Sequence, residues 1–106
     1  MANFSEQAKQ ALQMRKEAKR IQAEIERIVV TYANGGIEAS MKGDFTLTNL
    51  KITPEALEEL KAGKTDRFTT MLQNVFNGAI KKAKEATQEH MQKVMKENGL
   101  GGMFGQ

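Results

Sequence analysis

The side chains that could do chemistry in this 106-residue chain are few. There is one histidine, His90, and no cysteine, so thiolate nucleophiles, disulfide frameworks, cysteine-ligated zinc and multi-histidine metal sites are excluded. His90 has Glu85 and Glu89 within reach along its own helix, but no nucleophile stands beside it to complete an acid-base constellation. The carboxylates alternate with lysines and arginines at spacings that suit surface ion pairs, Glu17 with Arg20 among them. The two glycine clusters, Asn34-Gly35-Gly36 and Gly99-Leu100-Gly101-Gly102, lack the spacing and the following Lys-Ser/Thr of a phosphate-binding loop. Seven methionines are present, mostly at positions that read as core. No enzymatic activity, metal, cofactor or small-molecule substrate is expected.

What remains is cationic charge. Lysine and arginine number 16 against 13 acidic residues, for a formal net charge of +3. The excess is uneven: residues 1–27 carry six basic and four acidic groups, and residues 67–106 carry six and three. In the first segment Lys9, Arg15, Lys16, Lys19 and Arg20 are opposed between residues 9 and 20 only by Glu17, and in the last Lys81, Lys82 and Lys84 are followed by Glu85. Such clusters form an electrostatic footprint for a polyanion. A solvated helix face has the same composition, so charge alone leaves both readings open.

The elements that must position these groups follow from periodicity. Phe4, Ala11, Met14, Ala18, Ile21, Ile25 and Ile28 recur at spacings that place them on one side of a helix, with Gln7 the one interruption. Val29-Val30-Thr31-Tyr32, an Asn34-Gly35 turn and alternating Ile37, Ala39 and Met41 predict a hairpin, and a third strand-like run spans Phe45 to Thr53 with Leu50 and Ile52 on a common face. Thr53-Pro54-Glu55 reads as the capped start of a short helix that closes at Gly63. A final helix opens at Thr65 or Asp66 and keeps its apolar period to about Asn98.

The expected fold is therefore α+β: long helix, three-stranded antiparallel meander, short helix, long helix, forming one domain over residues 1–98. The remainder, residues 99–106, reads as a glycine-rich flexible tail that cannot build a core of its own. At 1.5 Å per residue the two long helices measure roughly 37 and 45 Å, against a radius of gyration near ~13 Å for a compact chain of this size. They should project, and their apolar stripes must be buried against each other or against a second copy, so an intertwined or side-by-side homodimer is expected. No apolar run approaches the roughly 18 residues of a membrane span. The start of the chain lacks the basic and apolar regions of a signal peptide, which predicts a cytoplasmic location.

Three segments carry a resemblance. Gly35-Gly36-Ile37-Glu38-Ala39-Ser40-Met41-Lys42-Gly43, Leu50-Lys51-Ile52-Thr53-Pro54-Glu55-Ala56-Leu57 and Val75-Phe76-Asn77-Gly78-Ala79-Ile80-Lys81-Lys82-Ala83, in this order of elements, resemble the YbaB/EbfC family of bacterial nucleoid-associated proteins. The resemblance implies a tweezer-like homodimer in the nucleoid whose protruding helices bind double-stranded DNA with little sequence preference, organising DNA and affecting gene expression. Carried over by position, the implied DNA-binding residues are Lys9, Arg15, Lys16, Lys19 and Arg20, with Lys81, Lys82 and Lys84. Gly78 and the Gly/Met/Phe tail depart from the family pattern. The competing reading is a helix-mediated protein interaction module whose basic residues only solvate the helices.

Overall fold

A computed structural model describes residues 3–97. The tail expected at residues 99–106 lies outside the described residues. The order of elements is α1 (Asn3–Arg27), β1 (Val29–Asn34), β2 (Ile37–Lys42), β3 (Leu47–Ile52), α2 (Pro54–Lys61) and α3 (Thr65–Glu97). The strands form one antiparallel sheet in the order β1-β2-β3. The molecule extends over 74 × 27 × 18 Å with a radius of gyration of 20.5 Å, so the long helices do project from the body.

Local chemistry fixes the turns. Asn34 remains in β1, paired with Ile37, and the two-residue loop is Gly35-Gly36 with φ of +60° and +87°. The positive angles expected of Asn34-Gly35 thus fall one residue later, on two residues without a Cβ. The β2–β3 connection closes with Phe45 N–H donating to Lys42 O and Lys42 N–H to Thr46 O, at 2.9 and 2.8 Å. Phe45 takes the left-handed conformation there, φ +69°, so β3 begins at Leu47 and not at Phe45. Thr53 caps α2, its Oγ1 accepting from Ala56 N at 3.2 Å, with Pro54 in the first turn.

Register defines the core. Opposed residues of antiparallel strands share a face, which groups Val30 and Tyr32 with Met41 and Ala39, and Ile37, Ala39 and Met41 with Ile52, Leu50 and Leu47. Leu47 and Leu50, three residues apart, would face opposite ways in a regular strand. A bulge opposite Ser40 and Met41 absorbs the extra residue and brings them to one side. Helix α3 lies across this face with Val75, Ala79 and Ala83 fully buried against Ile37 and Ala39. Small residues on α3 allow close approach: a Cβ on Gly78 would stand 2.5 Å from Tyr32 Cε2, so the departure noted at Gly78 is the seat of the Tyr32 ring.

Candidate nucleic-acid interface

The two helices that carry the basic clusters are fastened to each other and to the sheet. His90 Nε2 donates to Glu24 Oε1 at 2.8 Å, linking α3 to α1. Thr87 Oγ1 donates to Gly43 O at 3.2 Å, and Gly43 N–H to Ile28 O at 2.9 Å, so the β2–β3 turn is tied to α3 and to the residue that follows α1. Ile21 is half-buried in a cleft it shares with Met91 and Val94, so within one chain the α1 stripe already finds α3. Further out the stripe is bare, with Met14 71% and Phe4 82% exposed.

On α1, Lys9, Lys16, Arg20 and Arg27 recur at spacings of seven, four and seven, one row on the side away from Met14, Ala18 and Ile21. Lys19 adjoins that row and Arg15 lies on its flank. A cluster bounded at residue 20 leaves out Arg27, which the spacing includes. All of these residues are exposed. Arg20, however, is committed within the helix: its guanidinium meets Glu17 at 2.8 Å and Glu24 at 2.6 Å. The hydrogen bond from Arg20 holds the Glu17 carboxyl below its ordinary value, and the hydrogen bond from His90, reinforced by Arg20, does the same for Glu24. The network Glu17–Arg20–Glu24–His90 is therefore an internal one. Lys9, Arg15, Lys16 and Lys19 have no ion-pair partner among the described residues.

The second cluster also divides. Lys82 Nζ donates to Thr31 O at 2.7 Å, closing a carbonyl of the edge strand β1, and so faces the sheet. Lys81 and Lys84 are exposed without an ion-pair partner among the described residues. The eight basic residues are not gathered into one patch. With Glu24 and His90 marking a common level, Lys9 lies fifteen residues outward along α1 and Lys81 nine residues the other way along α3. At 1.5 Å per residue the free cations of one chain are strung over roughly 36 Å, about one turn of B-form DNA at ~34–36 Å.

Among the described residues no group of His, Asp or Glu side chains could hold a metal ion, and no helix is long and apolar enough to cross a membrane. An uncharacterized protein from Helicobacter pylori shares the fold, with a TM-score of 0.66 at 20% identity over 87% of this chain and 96% of that one. A nucleoid-associated protein of Bradyrhizobium sp. is 30% identical over 99% of this chain and 98% of its own length, and one of Rhodopseudomonas palustris is 31% identical over 95% and 92%. A further nucleoid-associated protein, from Clostridium acetobutylicum, is 29% identical over 87% of this chain and 81% of its own. The YbaB/EbfC DNA-binding family matches residues 1–99, a family defined by DNA binding and not by catalysis, and this chain belongs to it.

Proposed function

We propose that this chain is a nucleoid protein of the bacterial cytoplasm that binds double-stranded DNA as a homodimer with little sequence preference, organising DNA and modulating expression. The observation that carries the reading is a set of cations without ion-pair partners among the described residues, Lys9, Arg15, Lys16 and Lys19, along a helix that projects from the body. Cations without carboxylate partners, strung along one helix, suit phosphates spaced along a duplex better than a compact acidic site. Lys81 and Lys84 extend the same contact set; Arg20 and Lys82 support it from within, one by fixing Glu17 and Glu24, the other by holding α3 to β1. Backbone neutralisation carries no sequence information, which is the basis for weak preference.

Dimerisation is supported by the sheet. Helix α3 covers β1 and β2 but leaves the core-side residues of β3 open, Leu47, Leu50 and Ile52 being 41, 39 and 40% exposed, with Leu57 of α2 at 42%. An uncovered half of an apolar sheet face on an edge strand is a surface for a second copy. Ile21 and Ile25 of the α1 stripe are half-buried within the chain, so the open face of β3 is the surface offered to a second copy. The protein-interaction reading keeps one observation in its favour, the exposure of Leu12 on the outer part of α1 at 52%. Sedimentation velocity with and without a duplex of about 30 base pairs separates the two: a dimer alone and a dimer–DNA complex are expected. A monomer at micromolar concentration, or a dimer that leaves the duplex free at low salt, overturns the proposal.

A further inference from the structure

His90 is the one histidine of the chain, and the phosphate contacts proposed above make no use of it. Its bond to Glu24 is the one side-chain hydrogen bond between α3 and α1 among the described residues. A carboxylate can only accept, so Nε2 carries the proton. Both partners are half-buried. The acceptor is also held from its own helix: Arg20 binds the other oxygen, Glu24 Oε2, at 2.6 Å and is itself bound to Glu17 at 2.8 Å. Charge-assisted bonds on both oxygens fix the carboxylate in direction as well as in place.

Beside this pair lies a pivot. Thr87, one helical turn before His90, and Ile25, the residue after Glu24, close on the same glycine: a Cβ on Gly43 would stand 2.5 Å from Ile25 O and 3.0 Å from Thr87 Oγ1. In the other direction, toward the start of α1 and the end of α3, the helices are parted by an open apolar cleft of about 330 Å³, with Met14 and Ala18 on one wall and Met91 and Met95 on the other. Apolar packing therefore does not clamp the outer half of α1 to α3. We propose that Glu24 and His90 are positioning residues for DNA, their bond setting the angle of α1 to α3 and with it the register of Lys9, Lys16 and Lys19 on the phosphates. The inference rests on the DNA-binding reading above. Lys9 is fifteen residues from Glu24, a lever of roughly 22 Å. A turn of about 10° at the pivot moves its end by about 4 Å, more than the ~3.4 Å axial step between phosphates of one strand. Lys16 moves about half as far, and Lys19 less again. The outermost contact is the first to be lost.

The test uses the full chain. Glu24→Ala removes the acceptor, leaves the chain more basic and releases Arg20 from one carboxylate, so charge alone predicts tighter binding and a steeper salt dependence. Positioning predicts the opposite sign: weaker binding to a duplex, and a slope of log affinity against log salt smaller by about 1.8, one Lys9 contact from each chain of a dimer. Glu24→Gln keeps an acceptor at the same reach and should bind at least as tightly as the wild type; His90→Gln, which keeps a donor, should bind more tightly than His90→Ala. Because the chain has no cysteine, nitroxide labels on Gln10→Cys and Gln92→Cys, both exposed, read the α1–α3 distance without DNA when labelled chain is diluted in unlabelled chain. Pulsed electron paramagnetic resonance should give a narrow distribution in the wild-type background and in Glu24→Gln, and one broadened or shifted by about 4 Å in Glu24→Ala. A Glu24→Ala chain that binds as tightly as the wild type with an undiminished slope, or whose distances do not change, overturns the positioning role while leaving DNA binding intact. A wild-type chain that leaves the duplex free at low salt overturns the DNA-binding reading, and the positioning role falls with it.

Discussion

Lys16 and Lys19 stand four residues and one residue from Arg20 on the same helix, yet of these three only Arg20 is bound to carboxylates among the described residues, at 2.8 Å to Glu17 and 2.6 Å to Glu24. If phosphate neutralisation carries binding, the salt dependence of affinity counts the cations that are free to meet phosphate. Each contact contributes about 0.9 to the slope of log affinity against log salt. Lys16→Gln with Lys19→Gln removes two contacts per protomer and four per dimer, so the magnitude of the slope should fall by about 3.6. Between 50 and 200 mM salt each lost contact corresponds to a factor of about 3.5 in affinity. The comparison is Arg20→Gln made with Glu17→Gln, which keeps the local net charge; there the slope should change by less than about 1. The lysine pair alters exposed side chains, so its stability should move by no more than about 0.5 kcal/mol per site; the Arg20 and Glu17 pair also loses surface ion pairs, each worth about 0–1 kcal/mol. Fluorescence anisotropy with a labelled duplex at four or five salt concentrations measures the slopes. Equal losses in the two variants would refute the distinction between free and committed cations. No loss in the lysine pair would remove α1 from the interface.

Leu50→Lys places a charge on the uncovered face of β3 and should convert the dimer to monomers in sedimentation equilibrium; a dimer of unchanged affinity would acquit that face. Gly78→Ala gains about 1 kcal/mol of helix propensity but sets a methyl carbon 2.5 Å from the Tyr32 ring, and overpacking of this kind costs ~1–3 kcal/mol. Thermal denaturation should show a lower Tm, and a higher one would contradict the packing. Glu17 and Glu24 have pKa values lowered in the fold by their bonds to Arg20 and His90, and Asp44 by the Thr46 hydroxyl and amide. A depressed carboxylate stabilises the fold above its ordinary value, 4.5 for Glu and 3.8 for Asp, and that contribution is lost as pH falls below it. Acid titration of Glu24→Gln, followed by circular dichroism, should show a shallower loss of stability in that window; a steeper one would reverse the sign of the argument.

Much of the architecture was legible because its signals are local. The α1 stripe, the Thr53-Pro54 cap and the glycine pair at residues 35 and 36 act within a few residues, and the corresponding boundaries fall within a residue or so of where the pattern puts them. The start of β3 was not, because Phe45 adopts a left-handed turn conformation that sequence pattern assigns to glycine or asparagine. Nor was the grouping of Leu47 with Leu50 and Ile52, which depends on a bulge across the β2–β3 pair. At the candidate interface the sequence places the cations but not their partners. Glu17 with Arg20 is a local pair and readable; Glu24 with His90 joins residues 66 apart, and Lys82 with Thr31 joins residues 51 apart. Which basic groups remain free therefore emerges only from the packing of α1 and α3.

Binding of duplex DNA through its phosphates is read directly in the salt dependence of affinity. Anisotropy titration of two unrelated duplexes of equal length, repeated at 50 and 200 mM salt, tests it most directly. The two affinities are expected within about tenfold of each other, a small ratio beside the ~10³–10⁷ that separates sequence readers from their own non-specific binding. Both affinities should fall by about 10³ or more between the two salt concentrations, as expected for six or more phosphate contacts. An affinity insensitive to salt, or a thousandfold preference for one duplex, would contradict it.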